Sequence, residues 1–291
     1  MFVAVLSAAP GAANLKTSMV EALRNGWGGG AARWLARGEA AEFDIPAMPD
    51  NLDSVRAELD GFGLDLNVVP AAGRRKRLLL ADMDSTMIQQ ECVDELAAEA
   101  GVGPRVAAIT ARAMNGEIGF EGALRERVAL LAGLPADVID KVLAERITPM
   151  PGGAALVATM KAAGAKAALV SGGFTAFTGA IAARLGFDWN RANTLLVADE
   201  RLTGEPGEPI LGRAAKVAAL EELTAEMGIN EEDVLAVGDG ANDLGMLLRA
   251  GMGVALHAKP AVQAEARHRI NHGDLTALLY LQGYRREDFV G

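Results

Sequence analysis

The sequence predicts an α/β protein: a parallel sheet core covered by helices on both faces, preceded by a small α+β unit. Three observations carry that reading. From residue 77 onward, apolar strands recur, each ending in polar or glycine residues and followed by a helical stretch. Residues 1–70 read instead as βαββαβ. Between them lies a basic run, AAGRRKR at 71–77, and the charge divides there: residues 1–76 carry 8 basic and 9 acidic side chains, and the rest carry 20 and 29.

The first unit is expected to run strand 2–7, helix 15–25, strand 32–35, strand 42–45, helix 52–62 and strand 64–69, with Gly28–Gly30 and Pro46–Asp50 as breaks. This ferredoxin-like unit holds no cluster of catalytic residue types. It reads equally as a small-molecule sensor, a dimerisation module or a structural appendage. The basic run after it reads as a solvated linker and domain boundary, with a polyanion patch as the alternative.

The bulk numbers exclude several classes. The chain has 291 residues, enough for about two domains. Its 51% apolar and 23% charged content is that of a globular protein with ample core material. One cysteine, Cys92, excludes an intramolecular disulfide and points to a reducing, cytoplasmic compartment. No apolar run reaches the roughly 18 residues of a membrane span. MFVAVLSAAP lacks a basic n-region and reads as a first strand, not a signal peptide. A net charge of −10 argues against nucleic acid, and it is the wrong overall field for an anionic substrate. Any anion site must be built locally.

The core strands are expected at 78–81, 167–170, 234–237 and 252–256. Ligands of such sheets bind beyond the carboxyl ends of the strands, near a topological switch point. The polar residues following each strand therefore share one neighbourhood: Asp82 and Asp84; Ser171, Gly172 and Gly173; Asp239, Gly240, Asn242 and Asp243. Converging carboxylates repel strongly unless a cation relieves them, and a hard divalent ion such as Mg²⁺ suits carboxylates, waters and a phosphate oxygen. A lone DxD is otherwise a solvated turn, and GDGAND alone a loop calcium site or an Asx-rich turn. Ser171 offers a hydroxyl, and Gly172 and Gly173 let backbone N–H groups approach a phosphate before a helix at 175–185. Lys216, opening KVAALEEL, is one of few cations available for a phosphate oxygen. His257, His268 and His272 read as sheet-edge and loop residues, with a metal site as the alternative. Cys92 reads as a buried small side chain.

DMDST, SGGF, the downstream lysine and GDGANDLGML together resemble the four motifs of the haloacid dehalogenase-like phosphotransferases, over residues 77–285. ECVDELA and TARAMNGEIGFEGALRERVALL resemble the cap segment of the phosphoserine phosphatase family. Gly245 departs from the pattern, where the family more often has proline. The N-terminal segment resembles an ACT-like extension. The resemblance implies a Rossmann-like core at 77–87 and 149–291, a helical cap at 88–148 inserted after the first core strand, and an ACT-like domain at 1–72.

It also implies a chemistry. Asp82 would attack the phosphorus and Asp84 would serve as acid, then base. Mg²⁺ would be held by Asp82, Asp239 and the Asp84 carbonyl. Ser171, Gly172 and Lys216 would hold the phosphate. Asn242 would bond the phosphate or the nucleophilic water, and Asp243 would orient Lys216 or the metal waters. In the cap, Glu91 matches the position that meets a substrate ammonium and Arg127 the one that pairs with a carboxylate. Met114 and Phe120 would close over the site. Taken singly, Met114 and Phe120 read as core packing, and Arg127 as a surface ion pair. The implied reaction is hydrolysis of O-phospho-L-serine to L-serine, the last step of serine biosynthesis. The alternatives are a phosphatase or phosphotransferase for another small phosphomonoester, or a regulatory amino-acid-binding module. A homodimer is left open.

Overall fold

The structure, a computed structural model, describes residues 1–114 and 117–291, with the Met114 side chain outside the described set. The chain begins β1 (Phe2–Ala8), α1 (Thr17–Gly26), β2 (Arg33–Ala36), β3 (Ala40–Ile45), α2 (Leu52–Asp60) and β4 (Leu64–Pro70). These strands form an antiparallel sheet in the order β2-β3-β1-β4. β1 is central and buried on both faces, which is why FVAVLSA is apolar at every position but Ser7. Its Ala4 and Leu6 face α1 and α2, among Val20, Phe43 and Leu59. Its Val3 and Val5 face the other way, into the main core with Tyr280 and Leu281.

The second sheet starts with β5 (Leu78–Ala81). Four helices follow before the chain returns: α3 (Cys92–Glu99), α4 (Gly103–Met114), α5 (Phe120–Ala129) and α6 (Val138–Glu145). Then come α7 (Gly153–Ala162), β6 (Lys166–Phe174), α8 (Thr175–Leu185), β7 (Trp189–Asn193), β8 (Leu195–Ala198), β9 (Arg201–Pro206) and α9 (Arg213–Met227). The chain closes with β10 (Val234–Gly238), α10 (Leu244–Arg249), β11 (Met252–Leu256), α11 (Pro260–Glu265), β12 (His268–Ile270) and α12 (Ala277–Leu281). Six strands make a wholly parallel sheet in the order β12-β11-β10-β5-β6-β7. The chain leaves β5 toward β6 and β7, then crosses to β10 and the other edge. The switch point therefore lies between β5 and β10, the strands that end at Asp82 and Asp239. Among the described residues, no helix is long and apolar enough to cross a membrane.

Four strands lay outside the sequence reading. β7 (WNRAN) and β12 (three residues) carry no apolar run long enough to announce a strand. The β8–β9 hairpin lies against the inserted helices, where Gly133 N donates to Leu202 O (2.8 Å) and Ala136 N to Glu200 O (2.8 Å).

The basic run at 71–77 is a correction. It was expected to be a solvated linker, yet it is docked along the C-terminal segment. Arg74 pairs with Glu42 at 2.7 Å and donates from Nε to Leu281 O at 3.1 Å. The Arg75 guanidinium sits 4.1 Å over the Tyr284 ring, and Lys76 Nζ donates to Glu232 O at 2.7 Å. Carbonyls left at element ends and an aromatic face supply what water would have supplied.

The two sheets also meet edge to edge. The Asn67 side chain on β4 donates from Nδ2 to Arg269 O (2.8 Å) and accepts at Oδ1 from Arg269 N (2.9 Å). Asp65 accepts from the backbone N–H groups of Asn271 (2.7 Å), His272 (3.1 Å) and Gly273 (2.8 Å).

Candidate active site

β5 is fully buried and delivers Asp82 to the mouth of the sheet, where Asp82 N still pairs with Val237 O at 3.0 Å. The chain then kinks. Met87 N and Ile88 N both return to Met83 O, at 2.8 and 3.1 Å, and Ser85 takes a left-handed backbone at φ 54°. Such a conformation is uncommon for a residue with a side chain, and it clusters at functional turns. The kink turns Asp84 back toward Asp82. Asp84 Oδ1 accepts from Cys92 N at 3.3 Å, and a Cβ on Gly173 would lie 2.8 Å from Asp84 Oδ2 and 3.1 Å from Ser171 Oγ. Glycine at 173 thus lets β6 bring its hydroxyl against the first loop.

The loop after β10 folds on itself. Gly240 N donates to Asp243 Oδ2 at 2.9 Å, and a Cβ on Gly238 would lie 2.3 Å from Asp243 Cγ. This tucks Asp243, 0% exposed, beneath the strand end. Lys216, on α9 and 2% exposed, reaches into the same spot. Its Nζ lies 2.6 Å from Asp82 Oδ1 and also donates to Asp243 Oδ1. Carboxylate oxygens of Asp82, Asp239 and Asp243 lie within 4.8 Å of one another. Three carboxylates and one ammonium in a buried site leave excess negative charge. That excess, with hard oxygen donors, fits a divalent cation.

The electrostatics follow from this crowding. Burial, then the Asp243 charge, pushes the Asp82 carboxyl well above its usual range, and Lys216 opposes them. Burial, then the charge of Glu91, raises Asp84 to about 7. Asp239 rises to about 6, by burial and then by Asp243. Burial works against charge on Lys216, but Asp82 and Asp243 outweigh it and hold the ammonium above its ordinary value. A carboxyl near neutrality, Asp84, beside a fixed cation gives the site a group able to move a proton at physiological pH.

A cleft of about 530 Å³ opens between these strand ends and the inserted helices. Asp82, Asp84, Ser171, Gly172, Asp239 and Asn242 line its floor, and Glu91, Phe120 and Arg127 its roof. Glu91 is held by Ser85, whose Oγ donates to Oε1 at 2.6 Å. Arg127 is half-buried, donates from Nε to Ala123 O at 3.2 Å, and has its pKa lowered by burial against the pull of Asp94 and Glu91. The Phe120 ring, 37% exposed, covers the glycine loop: a Cβ on Gly172 would lie 3.2 Å from its Cζ. The expectation for the Met114 side chain falls outside the described residues.

Every other residue that the sequence suggested for the site thus borders this cleft or its buried cluster. Asp243 and Lys216 lie behind the wall, linked to Asp82. The histidines lie elsewhere: His268 is buried in β12, His257 Nε2 lies 2.8 Å from Gly273 O, and His272 pairs with Asp60. Cys92 is buried, and burial raises its thiol pKa, so it stays protonated.

The sequence reading missed the supports. Thr86 Oγ1 donates to Asp239 Oδ1 at 3.2 Å, and Ser85 holds Glu91; both stand in DMDST but were given no role. Asn193, buried at the end of β7, donates to Gly172 O (2.8 Å) and Leu211 O (3.1 Å) and accepts from Leu211 N (2.6 Å). It ties the glycine loop to the segment leading into α9, and its sequence neighbourhood carries no signal of that.

The family described as haloacid dehalogenase-like hydrolase matches residues 79–248. A phosphoserine phosphatase of Streptomyces coelicolor is 46% identical over 254 residues, 86% of this chain and 62% of that protein. The chain therefore spans less than two thirds of that relative's length. A haloacid dehalogenase family hydrolase from Salmonella enterica serovar Typhi superposes with a TM-score of 0.86 at 31% identity, covering 96% of this chain and 98% of that one. A phosphoserine phosphatase carrying a phospho-aspartyl intermediate analogue superposes with a TM-score of 0.66 at 42% identity, over 71% of this chain and 98% of that one.

Proposed function

The chain belongs to the haloacid dehalogenase-like hydrolases, and from that premise we propose that it is a phosphoserine phosphatase, hydrolysing O-phospho-L-serine to L-serine and phosphate. The observation that carries the reading is the buried Asp82–Lys216–Asp243 cluster beneath a roof bearing one carboxylate, Glu91, and one guanidinium, Arg127. The floor suits a phosphomonoester. The roof suits an ammonium and a carboxylate, which a sugar phosphate lacks.

The residues divide the work as follows. Asp82 Oδ attacks phosphorus as the serine oxygen leaves, giving an aspartyl-phosphate, the species named in one of the structural relatives. Asp84, near neutrality, gives its proton to the departing oxygen and then takes one from the water that opens the intermediate. Lys216 opposes the protonation that burial favours at Asp82, orients its carboxylate, and stands near the transferring oxygens with Ser171 and the Gly172 N–H. Asn242 holds the phosphate or the water. Phe120 and the cap exclude bulk water. Asp82, Asp239 and the Asp84 backbone carbonyl would hold Mg²⁺, which when bound neutralises phosphate charge. We assign residues 1–72 to an ACT-like domain, 88–148 to the cap, and 77–87 with 149–291 to the catalytic core. A reducing, cytoplasmic setting suits the single buried thiol.

The test is phosphate release from L-phosphoserine, D-phosphoserine, phosphothreonine, glycerol phosphate, a hexose phosphate and an aryl phosphate, with and without Mg²⁺. Metal-dependent turnover concentrated on L-phosphoserine is expected. Turnover spread evenly over the panel discards the substrate, and silence with the fold intact discards the enzyme.

A further inference from the structure

Thr110 lies on α4, on the roof of the cleft, and its Oγ1 is buried with no hydrogen-bond partner among the described residues. A helical threonine ordinarily bonds back to the carbonyl three or four residues earlier. Here that bond is absent, and the hydroxyl is left in a wall whose other members, Val93, Ala113, Ile118 and Leu124, offer no side-chain polar atom. An unmet buried hydroxyl is destabilising, and native proteins keep few of them. When one lines a ligand cleft, the ligand is the natural partner.

The roof's other polar groups fix which part of the ligand it meets. Glu91 is an anion, already oriented by Ser85, and suits an ammonium. Arg127, on the neighbouring helix α5, is a cation and suits a carboxylate. A carboxylate has more lone pairs than one guanidinium fork fills, and a hydroxyl can donate to a spare one. The three N–H donors of an ammonium beside Glu91 could also find the hydroxyl oxygen, and a substrate that keeps the ammonium but lacks the carboxylate separates the two partners. We propose that Thr110 is a specificity-determining residue whose hydroxyl donates to the substrate carboxylate beside Arg127. The proposal rests on the phosphoserine reading.

The experiment compares wild type, Thr110→Val and Thr110→Ser on three substrates with Mg²⁺: L-phosphoserine, phosphoethanolamine and an aryl phosphate. Phosphoethanolamine keeps the ammonium and lacks the carboxylate. The valine variant matches threonine in shape and removes only the hydroxyl. A hydrogen bond to a charged group is worth enough that its loss should raise KM for phosphoserine about tenfold or more. With kcat nearly unchanged, that marks loss of uniform binding. Thr110→Ser should restore KM, while the valine variant's rates on phosphoethanolamine and aryl phosphate should match wild type, which also shows the fold intact. An equal loss on phosphoethanolamine, or no KM change on phosphoserine, overturns the role of Thr110. A wild type that does not favour phosphoserine over the aryl phosphate overturns the functional reading beneath it, whatever Thr110 does.

Discussion

Replacing Lys216 with methionine should cost stability in a way that depends on pH and on metal. Lys216 is 2% exposed and is the cation for Asp82 and Asp243, whose side chains are 7% and 0% exposed. At 2.6 Å its attraction to Asp82 alone is about 6 kcal/mol with an effective dielectric of about 20. Burying the ammonium returns several kcal/mol of that, so breaking the cluster should cost about 3–5 kcal/mol without divalent metal at neutral pH. Asp82 can recover part of the loss by keeping a proton. Its folded pKa, already raised, then lies further above the unfolded value, so the folded state holds more protons. Stability must therefore fall as pH rises, by at most about 1.4 kcal/mol per pH unit for each proton. Urea unfolding of both proteins at pH 6 and pH 8, with EDTA or excess Mg²⁺, reads this out. The variant should lose more at pH 8, and Mg²⁺ should restore more stability to it than to wild type. A loss under 1 kcal/mol that is flat with pH and indifferent to metal would refute the buried-cluster argument.

Asp82→Asn should abolish turnover while phosphoserine still binds; residual turnover in contaminant-free protein would remove Asp82 as nucleophile. Glu91→Gln deletes the charge that, after burial, raises Asp84 to about 7. Because the proposed first step needs Asp84 protonated, the alkaline limb of kcat/KM for an aryl phosphate should move to lower pH, and an unmoved limb would separate Asp84 from that limb. Arg127→Ala should reduce kcat/KM far more for phosphoserine than for an aryl phosphate, and equal losses would end its assignment to the carboxylate. Burial lowers His268 from 6.5 to about 3. Its folded pKa is depressed, so stability is lost as pH falls from 6.5 toward 3, by about 2 kcal/mol at pH 5. His268→Leu should shrink the stability difference between pH 7 and pH 5 by that amount, and matching pH profiles would count against it.

What the sequence disclosed follows from how each feature is encoded. Strands buried on both faces, such as LLLA and MGVAL, announce themselves as apolar runs, and their ends were placed to the residue. Carboxylates at such ends are legible because a parallel sheet gathers them at one rim. β12 and β7 were silent because edge strands need few apolar residues. The basic run misled for a related reason: arginines 74 and 75 look solvated, yet their partners are carbonyls and a tyrosine ring more than 200 residues away. Asn193 and Thr110 were invisible for the same cause, since their meaning lies wholly in what surrounds them. Ser85 and Thr86 stood in plain view, but only the kink shows that one steadies Glu91 and the other Asp239.

The Asn67 amide has a bearing on how the chain keeps to itself. β12 is the last strand of the parallel sheet, and its outer rim would present free N–H and C=O groups to any passing strand. Such rims seed aggregation unless blunted by charge, proline or a bulge. Here one side-chain amide copies the donor and acceptor of a seventh strand at Arg269, and the Asp65 carboxylate takes the three N–H groups that follow. The seam is thereby finished without extending it, because an amide side chain has no further edge to offer. A parallel sheet severed from residues 1–70 would lose that hem, and self-association through β12 would be the expected cost.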